Sequence, residues 1–202
     1  MGWSRPSLIV VSIFSTVRHK EFSKVASCFS GFVKSSQITV TAPSNTHLPT
    51  YSNLGCATTN NNNDVLPCGK HESQIVFLCV KPNILKNSLN EGKPFIKWSS
   101  GSLIVVSILA GIRVADLVKA VDGPNKTVYR IMTNTACALG AANCAISKDE
   151  NSSNATTDEL ILKLTATFGS SEFMAEYLMD AFSGVAGSGI AFVSVFQLTF
   201  KN

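Results

Sequence analysis

Two apolar runs, at residues 75–80 and 103–109, constrain the fold of this chain more than any other feature. Neither run alternates with polar residues, which is typical of strands buried on both faces of a parallel sheet. Between them, residues 83–92 favour a short helix, because Pro82 suits a first helical turn and Gly92 suits a helix end. The chain is therefore predicted to contain a strand–helix–strand unit of an α/β fold.

The carboxyl ends of these two strands carry candidate ligand-binding residues. Lys81 and Pro82 follow the first run, and Ala110 and Gly111 follow the second. In open parallel sheets the ligand crevice lies outside the carboxyl ends of the strands, so we expect these residues to lie together. On the residues alone, Lys81 also fits a solvated lysine at a strand end, and Ala110-Gly111 also fits a plain tight turn.

The rest of the chain continues the alternation of strands and helices. Further strands are predicted at residues 38–41, 127–132, 143–147 and 169–173, and helices at residues 20–32, 114–121, 158–168 and from residue 176 onward. The strand at 169–173 is expected at a sheet edge. This order predicts a doubly wound, mostly parallel α/β sheet.

Bulk composition narrows the class of protein. With 202 residues, 45% hydrophobic and 15% charged, the chain is long enough for one sizeable domain. The net charge of +4 comes from scattered basic residues, which argues against nucleic-acid binding. The six cysteines form no Cys-x-x-Cys pair and the three histidines are isolated, so we expect no metal site and mostly buried, reduced thiols.

Three motifs resemble a known family. They read Ile-Val-Phe-Leu-Cys-Val-Lys-Pro at residues 75–82, Ser-Ile-Leu-Ala-Gly at 107–111 and Arg-Ile-Met-Thr-Asn-Thr at 130–135. In order and spacing they resemble pyrroline-5-carboxylate reductases, which reduce a cyclic imine to proline with NADPH or NADH. The resemblance extends from about Ser23 to about Gln197.

The resemblance implies a domain organisation. Residues 1–22 are an atypical amino-terminal segment, residues 23–175 a Rossmann-like dinucleotide-binding domain, and residues 176–202 the truncated start of an all-helical dimerisation domain. Gly-Ser-Gly-Ile-Ala-Phe at residues 187–192 resembles the motif that opens that helical domain in the family. The family's substrate-holding residues lie further along and have no counterpart here.

The resemblance also implies a set of cofactor contacts. A small residue at Ala110-Gly111 lets the nicotinamide ring lie close to the backbone, Asn134 lies near the nicotinamide, and Asn62 contacts the adenosine. The implied NADP (or NAD) contacts are Asn62, Cys79, Val80, Lys81, Pro82, Ala110, Gly111 and Asn134. Hydride passes from the nicotinamide to the imine carbon, with the protein supplying orientation and electrostatics, so no catalytic side chain is nominated.

The family's glycine-rich first turn is missing. Those glycines let the backbone approach the pyrophosphate, which rests on a helix amino terminus. Residues 19–26 correspond to this stretch and contain no glycine, and Glu21 adds a negative charge near the phosphates. We expect NADP or NAD binding to be impaired, and the preference between the two dinucleotides stays open.

The amino terminus nearly repeats an internal segment. Residues 3–13 match residues 98–108 except at the pairs Arg5/Ser100 and Pro6/Gly101. A single isolated copy is not a solenoid repeat, so duplication of a coding segment or an error in the gene model explains it better. A signal or transit peptide is the minority interpretation, because the apolar run is short and no small-residue cleavage site follows it.

Residues 181–200 carry no charge and approach the ~20 residues that span a bilayer. Several glycines and serines lower their hydrophobicity, and the family buries this helix between subunits, so membrane insertion is the minor alternative. We expect an exposed apolar surface, with poor solubility or forced association.

By resemblance, the function is reduction of 1-pyrroline-5-carboxylate to L-proline. The alternatives are a catalytically inactive derivative that at most pairs with a full-length subunit, and an incomplete gene model of an intact enzyme. The expected partners are this small-molecule substrate and, as in the family, further subunits, with no nucleic acid and no membrane. The expected compartment is the cytoplasm, with the mitochondrion as the alternative.

Overall fold

The fold is an α/β sheet flanked by helices. The computed structural model describes residues 9–12, 32–46, 48–67, 69–70 and 73–200, and for residues 9–12 the backbone alone. The strands are β1 Ile9–Ser12, β2 Ile38–Thr41, β3 Ala57–Thr59, β4 Ile75–Leu78, β5 Ile96–Lys97, β6 Leu103–Ser107, β7 Val121–Asp122, β8 Lys126–Met132, β9 Ala142–Lys148 and β10 Gly169–Phe173. The α-helices are α1 Leu48–Asn53, α2 Pro82–Asn90, α3 Val114–Ala120, α4 Ala155–Thr165, α5 Met179–Phe182 and α6 Gly189–Phe200.

Eight strands form one sheet in the order β10-β9-β8-β6-β4-β1-β2-β3. Neighbouring strands are parallel throughout except at β8 and β9, which pair antiparallel. In chain order, β1, β2 and β3 are placed successively towards one edge of the sheet, and β4, β6, β8, β9 and β10 towards the other. This is the doubly wound order of a Rossmann-type sheet. The short strands β5 and β7 form a separate two-stranded parallel sheet.

The central strands are buried on both faces, as their unbroken apolar runs predict. In β4, Ile75 and Phe77 pack in one core layer with Leu164, while Val76 and Leu78 pack in the other. All four β4 residues are buried, and in β6 only Ile104 is partly exposed. The helices therefore cover the sheet on both sides, and the predicted doubly wound fold class is confirmed.

Helix boundaries follow the expected capping chemistry. Helix α2 begins at Pro82, and Gly92, two residues past its end, adopts a φ of +66°. Helix α4 begins three residues before the predicted start at 158, because the Asn154 side chain accepts hydrogen bonds from Thr156 N and Thr157 N, both at 3.1 Å. That side-chain cap satisfies amides that have no partner within the helix.

The first strand comes from the near-copied segment. Ile9 pairs with Ile75 on one side of β4, and Ile104 pairs with Ile75 on the other side. Ile9 corresponds to Ile104 in the repeat, so the two copies flank β4 in the same register. The sheet thus includes residues of the 1–22 segment that the sequence analysis set apart.

Some elements differ from the sequence-based predictions. Helix α1 and strands β3, β5 and β7 were not predicted, and Val121, expected to end a helix, begins β7. Strand predictions at 38–41 and 169–173 are confirmed as β2 and as the edge strand β10. The predicted helix at 20–32 lies almost wholly outside the described residues.

A helical segment, Glu176–Phe200, ends the described chain. It consists of a 3-10 turn at Glu176–Leu178, α5, a π-helical stretch at Ser183–Gly187, and α6. By length and composition this 25-residue segment is the one described helix that could cross a membrane. The apolar side chains of α6 are largely exposed, with Phe192 at 71% and Phe200 at 74%.

Candidate functional site

The doubly wound order places the candidate site at the carboxyl edge of the sheet. Between β1 and β4 the direction of strand succession reverses, and ligands bind at such a switch point. The strands β1, β4, β6 and β8 are parallel neighbours, so residues that follow them lie at one edge.

At the end of β4, Cys79 and Val80 turn into the core on opposite sides of the sheet. Burial raises the pKa of the Cys79 thiol, so this side chain is neutral and only its backbone lies at the edge. Lys81 immediately precedes α2, has an extended backbone and is exposed. Pro82 is the first residue of that helix and is half-buried. Lys81 is therefore the member of this group whose side chain is free to meet a ligand.

Between β6 and α3, the chain makes a turn whose backbone at Ala110 and Gly111 is exposed. The buried Ser107 accepts a hydrogen bond at its Oγ from Leu109 N, at 3.2 Å. Ala110 and Gly111 are exposed, and Gly111 has a φ of +69°. A Cβ atom added at Gly111 would meet no atom within 4 Å, so a planar group has room to approach this backbone.

Asn134, which follows β8, caps the turn that it begins and forms a hydrogen bond to the helical segment. Its Oδ1 accepts a hydrogen bond from Ala136 N at 3.1 Å, which caps the 3-10 turn Thr135–Leu139. Its Nδ2 donates to Ala186 O at 3.2 Å. Both ends of the carboxamide thus make internal bonds.

Asn62 lies on the other side of the switch point. It opens the 3-10 turn Asn62–Val65 that follows β3, and its Oδ1 accepts a hydrogen bond of 2.8 Å from Thr41 Oγ1 at the end of β2. The neighbouring Asn60 donates from Nδ2 to Ala42 O at 3.0 Å. These bonds fix part of the asparagine run against the carboxyl end of β2.

The structure therefore brings every predicted cofactor contact to one edge of one sheet. From β8 to β3 the edge crosses five strand spacings, or about 24 Å. Residues 79–82 and 110–111 are adjacent, and Asn134 and Asn62 lie towards opposite ends. The predicted pyrophosphate stretch at 19–26 lies outside the described residues.

Sequence reasoning missed an ionic cluster around a buried arginine beside this edge. Arg130 on β8 is 1% exposed, and its Nη1 donates to Glu176 Oε1 at 2.8 Å. Its Nη2 lies 3.5 Å from Asp180 Oδ1, and Glu176 Oε1 also accepts from Val114 N at 3.3 Å. The available signal was Arg130 inside the predicted strand at 127–132, since an arginine that becomes buried in a sheet requires a carboxylate partner.

A second polar cluster lies away from the site. The Tyr129 hydroxyl lies 2.8 Å from Asp158 Oδ1, and Lys148 Nζ lies 2.7 Å from Asp158 Oδ2. Burial raises the pKa of Tyr129, and the bond to Asp158 raises the pKa of Lys148. These contacts fasten α4 to β8 and β9. Within the described ranges no cluster of three or more His, Cys, Asp or Glu side chains could hold a metal ion.

Comparison with known proteins identifies the relatives of this chain. No protein-family model matches it. A zebrafish (Danio rerio) pyrroline-5-carboxylate reductase 3 is 34% identical over 168 residues, covering 83% of this chain and 55% of that protein. The pyrroline-5-carboxylate reductase of Pisum sativum is 30% identical over 168 residues, covering 81% of this chain and 56% of the relative. The chain thus spans about half the length of the curated relatives it matches.

Solved structures share the fold. A pyrroline-5-carboxylate reductase from Coxiella burnetii superposes with a TM-score of 0.77 at 18% identity, over 96% of this chain and 69% of that one. The Plasmodium falciparum pyrroline carboxylate reductase, solved with NADP bound, gives a TM-score of 0.69 at 21% identity, over 96% of this chain and 67% of that one. At these identities the likeness shows the fold alone.

Proposed function

Because this chain is a partial, divergent member of the pyrroline-5-carboxylate reductase family, we propose that it binds NADPH or NADH and reduces 1-pyrroline-5-carboxylate to L-proline. The observation that carries the proposal is the common edge of the sheet. It gathers the residues that follow β4, β6 and β8 beside the switch point, where dinucleotides bind in doubly wound folds.

The residues near the nicotinamide end fit such a ligand. The exposed Ala110 and the open backbone at Gly111 leave room for a planar ring, and Lys81 brings a positive charge to the same edge. At the adenosine end, Thr41 holds Asn62 in place through its Oδ1, and no described residue accepts a hydrogen bond from its Nδ2. When bound, the dinucleotide supplies the hydride, and these residues bind and orient it.

The phosphate region is the weak part of the proposed site. After β1 ends at Ser12, the sequence contains no glycine until Gly31. A glycine-rich turn lets the backbone approach a pyrophosphate closely, and a sequence without glycine lacks that provision. We propose that the chain binds the dinucleotide through its two ends, with lower affinity than a chain carrying the glycines.

Two measurements test the proposal. Titration calorimetry measures the affinity for NADPH, and the decrease of NADPH fluorescence after addition of 1-pyrroline-5-carboxylate measures its oxidation. Gly111→Ala is compared with Gly92→Ala, because the two glycines have φ values of +69° and +66° and both have open space around a Cβ. The backbone strain is therefore matched. We expect Gly111→Ala to lower affinity about tenfold while Gly92→Ala leaves it unchanged.

A further variant examines the phosphate region. Glycines at Ser15 and Val17 restore a G-x-G spacing soon after β1 and should raise NADPH affinity. Absence of binding in both the native chain and this variant would refute the proposal. Binding by the variant alone would mean that the native chain is not an active reductase.

We propose the cytoplasm as the compartment. The described cysteines Cys56, Cys79 and Cys144 are buried thiols outside any disulfide, which suits a reducing environment. Fractionation of cells expressing a tagged chain would test this, and recovery with mitochondria would favour the alternative compartment.

A second candidate function is association with a full-length reductase subunit. The observation that favours it is α6, on which Phe192, Val195, Phe196 and Leu198 are between 64% and 71% exposed. Apolar side chains on several faces of a helix are normally covered. Co-expression with a full-length relative followed by size-exclusion chromatography tests it. Separate elution would argue against association, and the double substitution Phe192→Ser/Phe196→Ser serves as the control.

A further inference from the structure

An ion pair between the buried Arg130 and the partly exposed Glu176 lies beside the turn at residues 110–113 and joins three elements of the fold. Arg130 extends from β8, Glu176 begins the helical segment, and Val114 begins α3. One carboxylate oxygen, Glu176 Oε1, accepts hydrogen bonds from both Arg130 Nη1, at 2.8 Å, and Val114 N, at 3.3 Å. The end of the turn and the start of the helical segment are therefore attached to the same atom.

The position of Glu176 is determined by the burial of Arg130. The guanidinium is 1% exposed, and among the described residues its Nε has no hydrogen-bond partner. Its charge is balanced by Glu176 at 2.8 Å and, more distantly, by Asp180 at 3.5 Å. A buried arginine deprived of its carboxylate is strongly unfavourable, so the helical segment is held where Glu176 can reach it.

Two further contacts hold the helical segment to the same edge. Asn134 Nδ2 donates to Ala186 O at 3.2 Å. Met179 is fully buried against Met132 and Ala145, which lie on β8 and β9. Glu176, Met179 and Ala186 therefore fix the first half of the helical segment, while α6 beyond them stays exposed.

The arrangement gives the turn and the helical segment a common support. Residues 110–113 form the second part of the connection from β6 to α3, and the amide of Val114 that follows them is held by a carboxylate of the helical segment. A displacement of that segment would withdraw the acceptor from Val114 N and release one end of the turn. Conversely, a group that binds only this conformation of Ala110 and Gly111 would favour the turn in which Glu176 is engaged.

We propose that Arg130 and Glu176 are positioning residues that couple the conformation of the 110–113 turn to the placement of the helical segment. In its ligand-dependent part the proposal rests on the function proposed above, because the turn is the expected nicotinamide contact. The coupling itself is a property of the chain without ligand. A ligand bound at the turn then changes the position of the helical segment, and with it the position of α6.

The test is hydrogen exchange of the full chain, read by mass spectrometry, first without ligand. Glu176→Ala should speed exchange about tenfold or more in peptides covering both residues 110–117 and 176–187, since both lose their common anchor. Asp158→Ala is the matched control. It removes a more buried carboxylate, 18% exposed against 31% for Glu176, which bonds Lys148 at 2.7 Å and the Tyr129 hydroxyl in the second polar cluster. The control should leave both peptides unchanged.

A second measurement separates coupling from general loosening. NADPH should slow exchange in residues 176–187 of the native chain and have no such effect in Glu176→Ala. If Glu176→Ala does not fold, Glu176→Gln takes its place, because it keeps an acceptor oxygen for Val114 N and gives up only the charge. It should loosen the same two peptides to a smaller extent.

The outcomes distinguish the two proposals. Equal exchange in native and Glu176→Ala chains at residues 110–117, or the same acceleration in the Asp158→Ala control, would overturn the positioning role. Failure of the native chain to bind NADPH would instead overturn the proposed function, and the ligand-free comparison would still decide the coupling.

Discussion

Gly169 provides a sharp test of the sheet edge. It begins β10 with a φ of +141°, and it pairs with Ala142 of β9. A Cβ atom at this position would lie 2.1 Å from Ala142 O and 2.6 Å from Ala142 N. These are backbone atoms within a ladder, so neither can move aside without breaking the pairing of β9 and β10.

The expected loss of stability for Gly169→Ala has two parts. The unfavourable φ alone costs about 1–3 kcal/mol for a residue with a side chain. Displacement of Ala142 also disturbs the hydrogen bond from Ala142 N to Phe168 O, at 2.9 Å, which contributes about 0.5–1.5 kcal/mol. Together these predict a decrease of about 2–4 kcal/mol in the free energy of unfolding.

Gly92→Ala is the control, because it shares a positive φ, here +66°, but no atom lies within 4 Å of its added Cβ. It should cost only about 1–2 kcal/mol of backbone strain. Urea unfolding followed by circular dichroism measures both values. Equal destabilisation by the two substitutions would refute the close approach of β10 to β9 at this point.

Three further outcomes are expected. Burial raises the pKa of the Cys79 and Cys144 thiols above the ordinary 9.0, so the stability they contribute is present below pH 9.0 and is lost as pH rises. Urea titrations at increasing pH should show the unfolding midpoint falling above pH 9.0, and Cys79→Ala should make this fall smaller. Val11→Pro, within β1, removes a ladder donor from a central strand and should abolish the cooperative melt, whereas native-like melting would contradict the pairing of β1. Tyr129→Phe should cost about 1–2 kcal/mol in urea titrations by leaving Asp158 one bond short, and an unchanged midpoint would argue against that bond.

The sequence predicted those parts of the fold that depend on local patterns. The unbroken apolar runs of β4 and β6 identify strands buried on both faces, and Pro82 marks the start of α2 without reference to any neighbour. Strands β5 and β7, of two residues each, carry no such pattern, because they form only by pairing with each other. Their existence follows from tertiary contact.

The ionic cluster was missed for a related reason. Arg130 and its partners Glu176 and Asp180 are separated by 46 and 50 residues. A charged residue within a predicted strand indicates that a partner must exist, but it does not indicate which carboxylate folds back to it. The motif 130–135 drew attention to Asn134, whose amide the structure finds bonded to Ala186. Arg130 in the same motif makes the more deeply buried contact.

In a Rossmann unit the first strand supports the sheet and the turn after it binds phosphate; the near-copied segment separates these two roles. Residues 3–13 repeat residues 98–108, and the two strands, β1 and β6, flank β4 in one register. The repeat ends at Ile13 and Ile108. Beyond it the internal copy continues with Leu109-Ala-Gly, an open turn, whereas the amino-terminal copy continues with Phe14-Ser-Thr and no glycine.

The copied residues thus suffice to place a strand in the centre of the sheet, because register depends on the apolar pattern that both copies share. They bring none of the turn through which such a strand contacts phosphate. The stability of this fold and its affinity for a dinucleotide should therefore vary independently. Substitutions that introduce glycine after β1 should change NADPH affinity while leaving the urea midpoint nearly unchanged. A parallel change in both would mean that the residues substituted after β1 also support the sheet.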